Sequence, residues 1–440
     1  MFKTIRNAWK IPDLRKKILF TLLIIVIFRF GSVIPVPFLD VESLRQLMET
    51  VNGDGGGMLS YLNMLTGGAF SQATLFAMGV TPYINASIII QLLTVAIPPL
   101  ERLSKEGEEG RKKLAAITRY STVVLGLIQG TAYYFYLKNS DITLFNNGFS
   151  MVFSAIVIIA VFTAGTALLM WLGEQINEKG IGNGISILLF AGIIARMPTT
   201  IGQLGSYLNA AASDPTNYGK FYFLVPLFVI IFLVVIWVIV FMNDSERRIP
   251  VQYAKRVVGR KMYGGQSSHI PIKVGMSGVL PIIFASSILS IPSTIEFFMG
   301  YKVQQGFWKG FFDAFSTTGW LYSVLYFILI ILFAYFYIMI QYNPVEMANN
   351  LRQNNGTIPG IRPGRPTSDF IAKILSRITL IGALFLAFIA LLPIIYSNVT
   401  GMHGLMLGGT SIIILVGVAL ETTKQIESQM MMRHYKGFLD

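Results

Sequence analysis

The sequence predicts an all-α polytopic membrane protein built around an internal repeat, and three observations carry that expectation. The chain is 53% hydrophobic and only 13% charged over 440 residues, about half the charge of an ordinary soluble domain. Its apolar residues gather into runs close to the roughly 20 residues that a helix needs to cross a bilayer. Two stretches also repeat each other. Gly79-Val80-Thr81-Pro82-Tyr83-Ile84-Asn85-Ala86-Ser87 and Gly278-Val279-Leu280-Pro281-Ile282-Ile283-Phe284-Ala285-Ser286 share Gly, Val, Pro, Ile, Ala and Ser in register. A weaker pair is Gly184-Ile185-Ser186-Ile187-Leu188-Leu189 with Gly409-Thr410-Ser411-Ile412-Ile413-Ile414. Corresponding Gly- or Pro-interrupted helices in two halves of a membrane protein point to a central pathway between the repeats.

Ten spans are expected, with approximate cores at 18–35, 75–97, 114–137, 151–172, 185–201, 221–242, 274–298, 321–342, 371–396 and 405–420. The fifth and tenth are the weakest, because Gly and Ser dilute their apolar signal. The N-terminal arm, 1–17, is basic and amphipathic and runs straight into a full-length span, unlike a cleaved signal. Most of the 35 Lys and Arg residues fall in that arm, in the loops after the even-numbered spans and in the C-terminal tail. This bias places both termini and those loops in the cytoplasm. It also gives the formal net charge of +13 a topological reading rather than a nucleic-acid one.

What the spans lack is as informative. There is no cysteine, hence no disulfide, thiolate metal site or thiol nucleophile. Ionisable groups inside spans usually mark ion or proton pathways, and here the interiors are nearly free of them. Arg29, near the outer end of the first span, is the clear exception. Snorkelling to the interface and a structural ion pair explain it equally well. His269, His403 and His434 lie in loops or the tail. No mid-span Asp or Glu is placed to relay protons or hold a metal, which disfavours an ion-coupled transporter and an intramembrane protease. Gly180-Ile181-Gly182-Asn183-Gly184 follows a span rather than a strand, so it reads as a tight helix-to-helix turn and not a phosphate loop. The chain has no visible engine and implies no cofactor. The rivals to a passive channel are a small-solute secondary transporter, for which inverted repeats are equally natural, and a membrane enzyme, for which no catalytic constellation is present.

Three connecting segments go beyond topology. The loop 243–273 contains Arg247-Arg248-Ile249-Pro250-Val251-Gln252-Tyr253-Ala254-Lys255-Arg256, whose alternation around Ile249 to Tyr253 predicts a short hairpin. The loop 343–369 contains Pro359-Gly360-Ile361-Arg362-Pro363-Gly364-Arg365-Pro366, a rigid turn that presents arginines. Both suit docking, to RNA phosphate or to an acidic protein surface. Between the first two spans, Gly53-Asp54-Gly55-Gly56-Gly57 and Gly67-Gly68 flank the apolar stretch 58–66. That stretch is too short to cross a bilayer, and glycines hinge it on both sides. Met58, Leu59, Tyr61, Leu62, Met64 and Leu65 would be costly to leave in water, so the segment is expected to tuck back into the protein as a movable stopper.

Four motifs then carry a family resemblance. They are Pro82-Tyr83-Ile84-Asn85-Ala86-Ser87-Ile88-Ile89-Ile90-Gln91-Leu92-Leu93, Gly173-Glu174-Gln175-Ile176 with Gly180-Ile181-Gly182-Asn183-Gly184-Ile185-Ser186, Gln252-Tyr253-Ala254-Lys255-Arg256, and Pro359-Gly360-Ile361-Arg362-Pro363-Gly364. Over essentially its whole length the chain resembles the SecY family, the channel subunits of the bacterial Sec protein translocon.

The resemblance implies two five-helix halves in inverted orientation, 1–210 and 211–440, closing like a clamshell around an hourglass pore. It implies a pore ring of Val80, Ile84, Ile185, Leu189, Ile283 and Ile414. Val80 and Leu189 depart from the family's mostly Ile pattern but stay aliphatic, and the repeats themselves equate Ile84 with Ile283 and Leu189 with Ile414. Aliphatic side chains make a dry constriction that gates by dewetting and offers no hydrogen bond to favour one substrate. By the same resemblance 58–66 is the plug. Ser87, Gln91, Ser286 and Ser287 lie on lateral-gate walls through which signal sequences leave to lipid. Arg247, Arg248, Lys255, Arg256, Arg260, Lys261 and Arg362 dock the ribosome, including its RNA, or the SecA ATPase. A small SecE subunit clamping the halves is implied, and usually SecG. The implied function is a passive, gated channel of the cytoplasmic membrane, not an enzyme. It passes unfolded nascent polypeptides across and releases transmembrane segments into lipid, with work supplied from outside.

Overall fold

The computed structural model describes residues 2–46, 63, 66–145, 147–253, 256–258, 261–263, 267–299, 307–315, 319–402 and 409–436. The first half begins with helices α1 (Phe2–Trp9) and α2 (Pro12–Gly31). α2 starts on a proline, whose missing N–H has no partner to lose in a first turn, and it stops at Gly31. The expected span 18–35 is therefore displaced toward the N-terminus, because Pro35 and Pro37 cannot continue a helix. Helices α3 (Thr81–Ala96) and α4 (Pro98–Lys105) follow, bent by 101° from one another where Pro98 and Pro99 break the ladder. Then come α5 (Glu108–Asn139), α6 (Gly148–Lys179), α7 (Gly184–Ala195) and α8 (Met197–Ser213). The second half contains α9 (Phe221–Asp244), α10 (Leu280–Met299), α11 (Phe307–Ala314), α12 (Trp320–Gln341), α13 (Pro344–Gln353), α14 (Arg365–Thr400) and α15 (Gly409–Lys436). Among the described residues, α6, α7 with α8, α9, α12 with α13, and α14 are each long and apolar enough to cross a membrane, and α3 with α4 qualifies as a bent pair. The molecule is a multi-pass membrane protein.

The expected spans at 75–97 and 274–298 both start late. The helices begin at Thr81 and Leu280, at equivalent positions of the repeat, and the cause is the same in each. Gly79 and Gly278 have φ of +57° and +59°, a left-handed conformation that a residue with a Cβ adopts only at a cost of roughly 1–2 kcal/mol. Each closes a turn: Gly79 N donates to the Phe76 carbonyl at 2.9 Å, and Gly278 N to the Gly275 carbonyl at 3.1 Å. A proline in the first helical turn, Pro82 or Pro281, then sets the helix going. In the weaker repeat Gly184 opens α7, capped by Asn183, and its counterpart Gly409 lies in α15.

Among the described residues, the two largest of several apolar clusters meet on one helix. One joins α2, α6, α7 and the turn 69–80 with Ile414 and Val418 of α15. The other joins α9, α10, α12 and α14 with Ile412, Ile413 and Val416 of α15 and with Ile88 of α3. α15 is thus shared by both. Near the termini, α1 lies on α15. Ala8 and Leu14 are buried with Ile181 and Ile426, and Thr4 Oγ1 donates to Glu427 Oε1 at 3.0 Å. Lys424 Nζ meets Asp244 Oδ1 at 2.7 Å, tying α15 to α9.

Among the described residues, strands appear only in the connecting loops. β1 (Glu246–Tyr253) pairs antiparallel with β4 (Ser267–Lys273), and the small hairpin β2 (Arg256–Val258) and β3 (Lys261–Tyr263) lies between them in sequence. The hairpin expected around Ile249 to Tyr253 is present, but its returning strand comes later, after this insertion. The other edge of β1 receives β5 (Gly356–Thr357) from the loop before α14, giving the order β4-β1-β5. Ile249 and Val251 alternate inward onto Ile272, Leu351, Ile358, Ile371 and Leu375. Each such side chain contributes about 1.5–3 kcal/mol when taken out of water. The two loops expected to dock partners are therefore one folded body.

Candidate functional site

The residues expected to form the ring lie at the starts of α3, α7 and α10 and in α15. Val80 precedes α3 and Ile84 lies one turn inside it, while Ile185 and Leu189 stand in the same relation near the start of α7. Residues four apart share a helix face. Ile283 is in the first turn of α10 and Ile414 in the second of α15. All six gather in one cluster, with Val80, Leu189 and Ile414 buried and Ile84, Ile185 and Ile283 half-buried against them. Val279, missed in the sequence reading, packs into both apolar clusters and meets Gly417 of α15 at 3.3 Å from where a Cβ would be. The repeat offered the signal, because it pairs Val279 with Val80.

The glycine-rich motif fixes the start of α7, which carries Ile185 and Leu189. A Cβ on Gly184 would collide with the Gly173 carbonyl, and one on Gly173 would stand 2.6 Å from Ile185 Cδ1. Glycine at both positions lets α7 start against α6 with Ile185 between them. The turn is stitched by side chains. Gly184 N donates to Asn177 Oδ1 at 2.8 Å, Ser186 N to Asn183 Oδ1 at 3.3 Å, and Ile181 N to Thr21 Oγ1 at 3.1 Å. It is the tight helix-to-helix turn the sequence predicted.

Of the gate candidates, Ser286 is buried, Ser87 and Ser287 are half-buried and Gln91 is exposed. Ser286 Oγ donates to its own helix at the Ile283 carbonyl, 2.9 Å away. Ile88 of α3 belongs to the same apolar cluster as Ile282 and Phe284 of α10. The stopper candidates Met58, Leu59, Tyr61, Leu62, Met64 and Leu65 lie outside the described residues. Asn63 and Thr66 of that stretch are described, and both are buried. Arg29 has a third answer that neither sequence alternative contained. Its Nη1 donates to the Gly67 carbonyl in a long hydrogen bond of 3.5 Å.

The docking residues divide. Arg247 and Arg248 are exposed on β1, and Arg248 Nε is held by Glu246 Oε1 at 2.7 Å. Arg362 is exposed between two left-handed glycines, Gly360 at φ +81° and Gly364 at φ +100°. Its carbonyl accepts from Thr367 Oγ1 at 2.8 Å, while neighbouring Ile361 packs onto the sheet's apolar face. Arg256 and Lys261 sit in β2 and β3, of which only the backbone is described, and Lys255 and Arg260 lie outside the described residues. One ion pair was missed altogether. Arg119 Nε on α5 donates to Glu174 Oε1 on α6 at 2.7 Å. Glu174 falls just past the apolar core of its span.

Comparison with known proteins follows the same lines. The SecY family model matches residues 74–423. "Protein translocase subunit SecY" of Streptomyces coelicolor is 43% identical, and that of Bacillus subtilis 44%, each over 100% of both chains. Among solved structures, one described as "The structure of a protein conducting channel" superposes with a TM-score of 0.65 at 18% identity over 96% of both chains. Another, "Sec61 in the Canine ribosome-channel complex from the endoplasmic reticulum", does so with a TM-score of 0.61 at 16% identity over 96% of both. Two helices that start on equivalent glycine turns, a family model that matches most of the chain and full-length relatives above 40% identity lead to one conclusion: the chain belongs to the SecY family.

Proposed function

We propose that the protein is the passive, gated channel of a Sec translocase in the cytoplasmic membrane, with both termini in the cytoplasm and no catalytic activity of its own. It carries unfolded polypeptides across and releases transmembrane segments sideways into lipid. The observation that carries this reading is the ring: Val80, Ile84, Ile185, Leu189, Ile283 and Ile414 come from both halves and meet in one aliphatic cluster. Such a constriction excludes water and ions without choosing among sequences. The halves 1–210 and 211–440 part at the ring, 58–66 stoppers it, and Ser87, Gln91, Ser286 and Ser287 line the side exit. Work arrives from the ribosome or the SecA motor through Arg247, Arg248, Lys255, Arg256, Arg260, Lys261 and Arg362, and SecE and SecG complete the complex. The names of the full-length relatives support this assembly. The test replaces Ile84 and Ile283 together by Asn. Two amides should wet the constriction and raise the ion conductance of the resting channel in planar bilayers. Conductance equal to the parent's would remove the ring from the mechanism.

A further inference from the structure

Several ion pairs among the described residues are local. Lys105 meets Glu101 and Lys112 meets Glu108 one helical turn away, and Arg248 meets Glu246 along β1. Two others tie one helix to another. Lys424 and Asp244 do so in the second half, with both side chains well exposed, 43% and 56%. Arg119 of α5 and Glu174 of α6 do so in the first half. There Arg119 Nε donates to Glu174 Oε1 at 2.7 Å, and the Glu174 side chain is only 24% exposed. A carboxylate taken that far out of water is costly unless it is paired.

The surroundings of this pair lead to the ring. α5 and α6 approach each other on small residues. A Cβ on Gly126 would stand 3.6 Å from Thr166 Cβ, and one on Gly130 would stand 3.5 Å from Phe162 Cβ. The Tyr133 ring packs on Phe162 with centroids 5.2 Å apart. The ion pair closes this interface at the end where α5 begins and α6 finishes. Another face of α6 supports the ring. A Cβ on Gly165 would collide with the Leu75 carbonyl, in the turn before Val80, and Gly173 lies under Ile185 and against Gly184. Glu174 is the next residue after Gly173. Tyr83, half-buried on α3 beside Ile84, lies within electrostatic reach of both Glu174 and Arg119. Close-packed contacts of this kind transmit small shifts rather than absorb them.

We infer that Arg119 and Glu174 are positioning residues for the ring: their ion pair holds the end of α6 against α5, and α6 in turn keeps Gly173 under Ile185 and the start of α7. The inference rests on the reading of Val80, Ile84, Ile185, Leu189, Ile283 and Ile414 as the constriction. Loss of the tie lets the end of α6 shift and takes Ile185 with it. The constriction then loosens although no ring residue has changed. The attraction does not depend on which helix carries which sign, so a pair of reversed polarity holds the helices as well.

The test measures resting ion conductance of the full-length channel with its copurifying subunits in planar bilayers, beside its thermal midpoint and the amount inserted. Arg119→Gln and Glu174→Gln should each raise the resting open fraction about threefold, the scale of a partly exposed ion pair. The exchange Arg119→Glu with Glu174→Arg should return conductance most of the way to the parent's. Lys424→Gln cuts the other tie between helices and should leave conductance unchanged. In a chain that already carries Ile84→Asn with Ile283→Asn, Glu174→Gln should add nothing, because the ring is wet. Parent-like conductance in both Gln variants overturns the inference, and a fall in thermal midpoint alone would mark a merely structural tie. The ring reading survives that result if Ile84→Asn with Ile283→Asn still conducts. If that ring variant conducts like the parent, the ring reading falls and the inference with it. An equal rise in Lys424→Gln also overturns the inference, since any loosened helix would then leak. So does an effect of Glu174→Gln that persists in the ring variant. Should the charge exchange fail to insert, Glu174→Asp decides, since it keeps the charge one methylene further back. A smaller leak than in Glu174→Gln supports the inference, and an equal leak overturns it.

Discussion

Gly79 and Gly278 turn the chain in the same way at equivalent places, but their surroundings differ. A Cβ on Gly79 would stand 2.8 Å from Thr66 Cγ2, whereas one on Gly278 would meet nothing within 4 Å. Alanine at either position incurs the left-handed strain of roughly 1–2 kcal/mol, and at Gly79 it adds a clash with the segment that returns to the ring. Gly79→Ala should therefore lower the thermal midpoint more than Gly278→Ala does, and only Gly79→Ala should also raise resting conductance. Equal shifts for the two variants would show that the Thr66 contact relaxes freely. At this scale the sequence was partly legible. It paired the two glycines, but it could not show that Arg29 and Arg196 reach carbonyls 38 and 133 positions away in the chain, because such contacts have no local signature.

Among the elements, the sheet β4-β1-β5 joins the two loops that are proposed to dock partners. β5 pairs Gln252 with Thr357 and Tyr253 with Gly356, so the turn that carries Arg362 is braced against the strand that carries Arg247 and Arg248. A guanidinium held on a rigid turn is pre-oriented for a bidentate partner. Arg362→Glu inverts that charge without removing a buried apolar group. It should block export and weaken binding of ribosomes or the SecA motor by at least tenfold, while the protein inserts normally. Binding assays on membranes containing the variant check this, and normal export would reduce the loop to a topology anchor. The apolar alternation of β1 announced itself as a hairpin. The rest stayed hidden, because β5 is two residues long and too short for any periodicity. The helix starts were misplaced for a related reason: the residues before Thr81 and Leu280 are as apolar as a helix would be, and only the backbone of one glycine separates them from it.

In the whole molecule, the first and last helices of the chain are also in contact. Ala8 of α1 is buried in one cluster with Ile426 of α15, Leu14 of α2 and Ile181 of the turn between α6 and α7. Ala8→Glu would bury a carboxylate in that apolar contact, a loss of roughly 2–3 kcal/mol. It should release α1, which limited proteolysis of residues 1–17 would report as faster cleavage, with resting conductance unchanged. Uncut α1 in the variant would show that the contact carries little of its attachment. The ten-span, two-halved plan was legible because apolar runs and a repeated Gly-Pro pattern are local signals that add up over the chain. The path of α15 through both apolar clusters was not, since its residues alternate between two partners that only the folded chain supplies. The equivalent turns at Gly79 and Gly278 also bear on ancestry. Two identical subunits inserted in opposite senses would place those turns, and the aliphatic side chains that follow them, around a shared two-fold axis. Fusion of their genes would keep that axis as a seam inside a single chain, with each half free to drift except where it must still match the other.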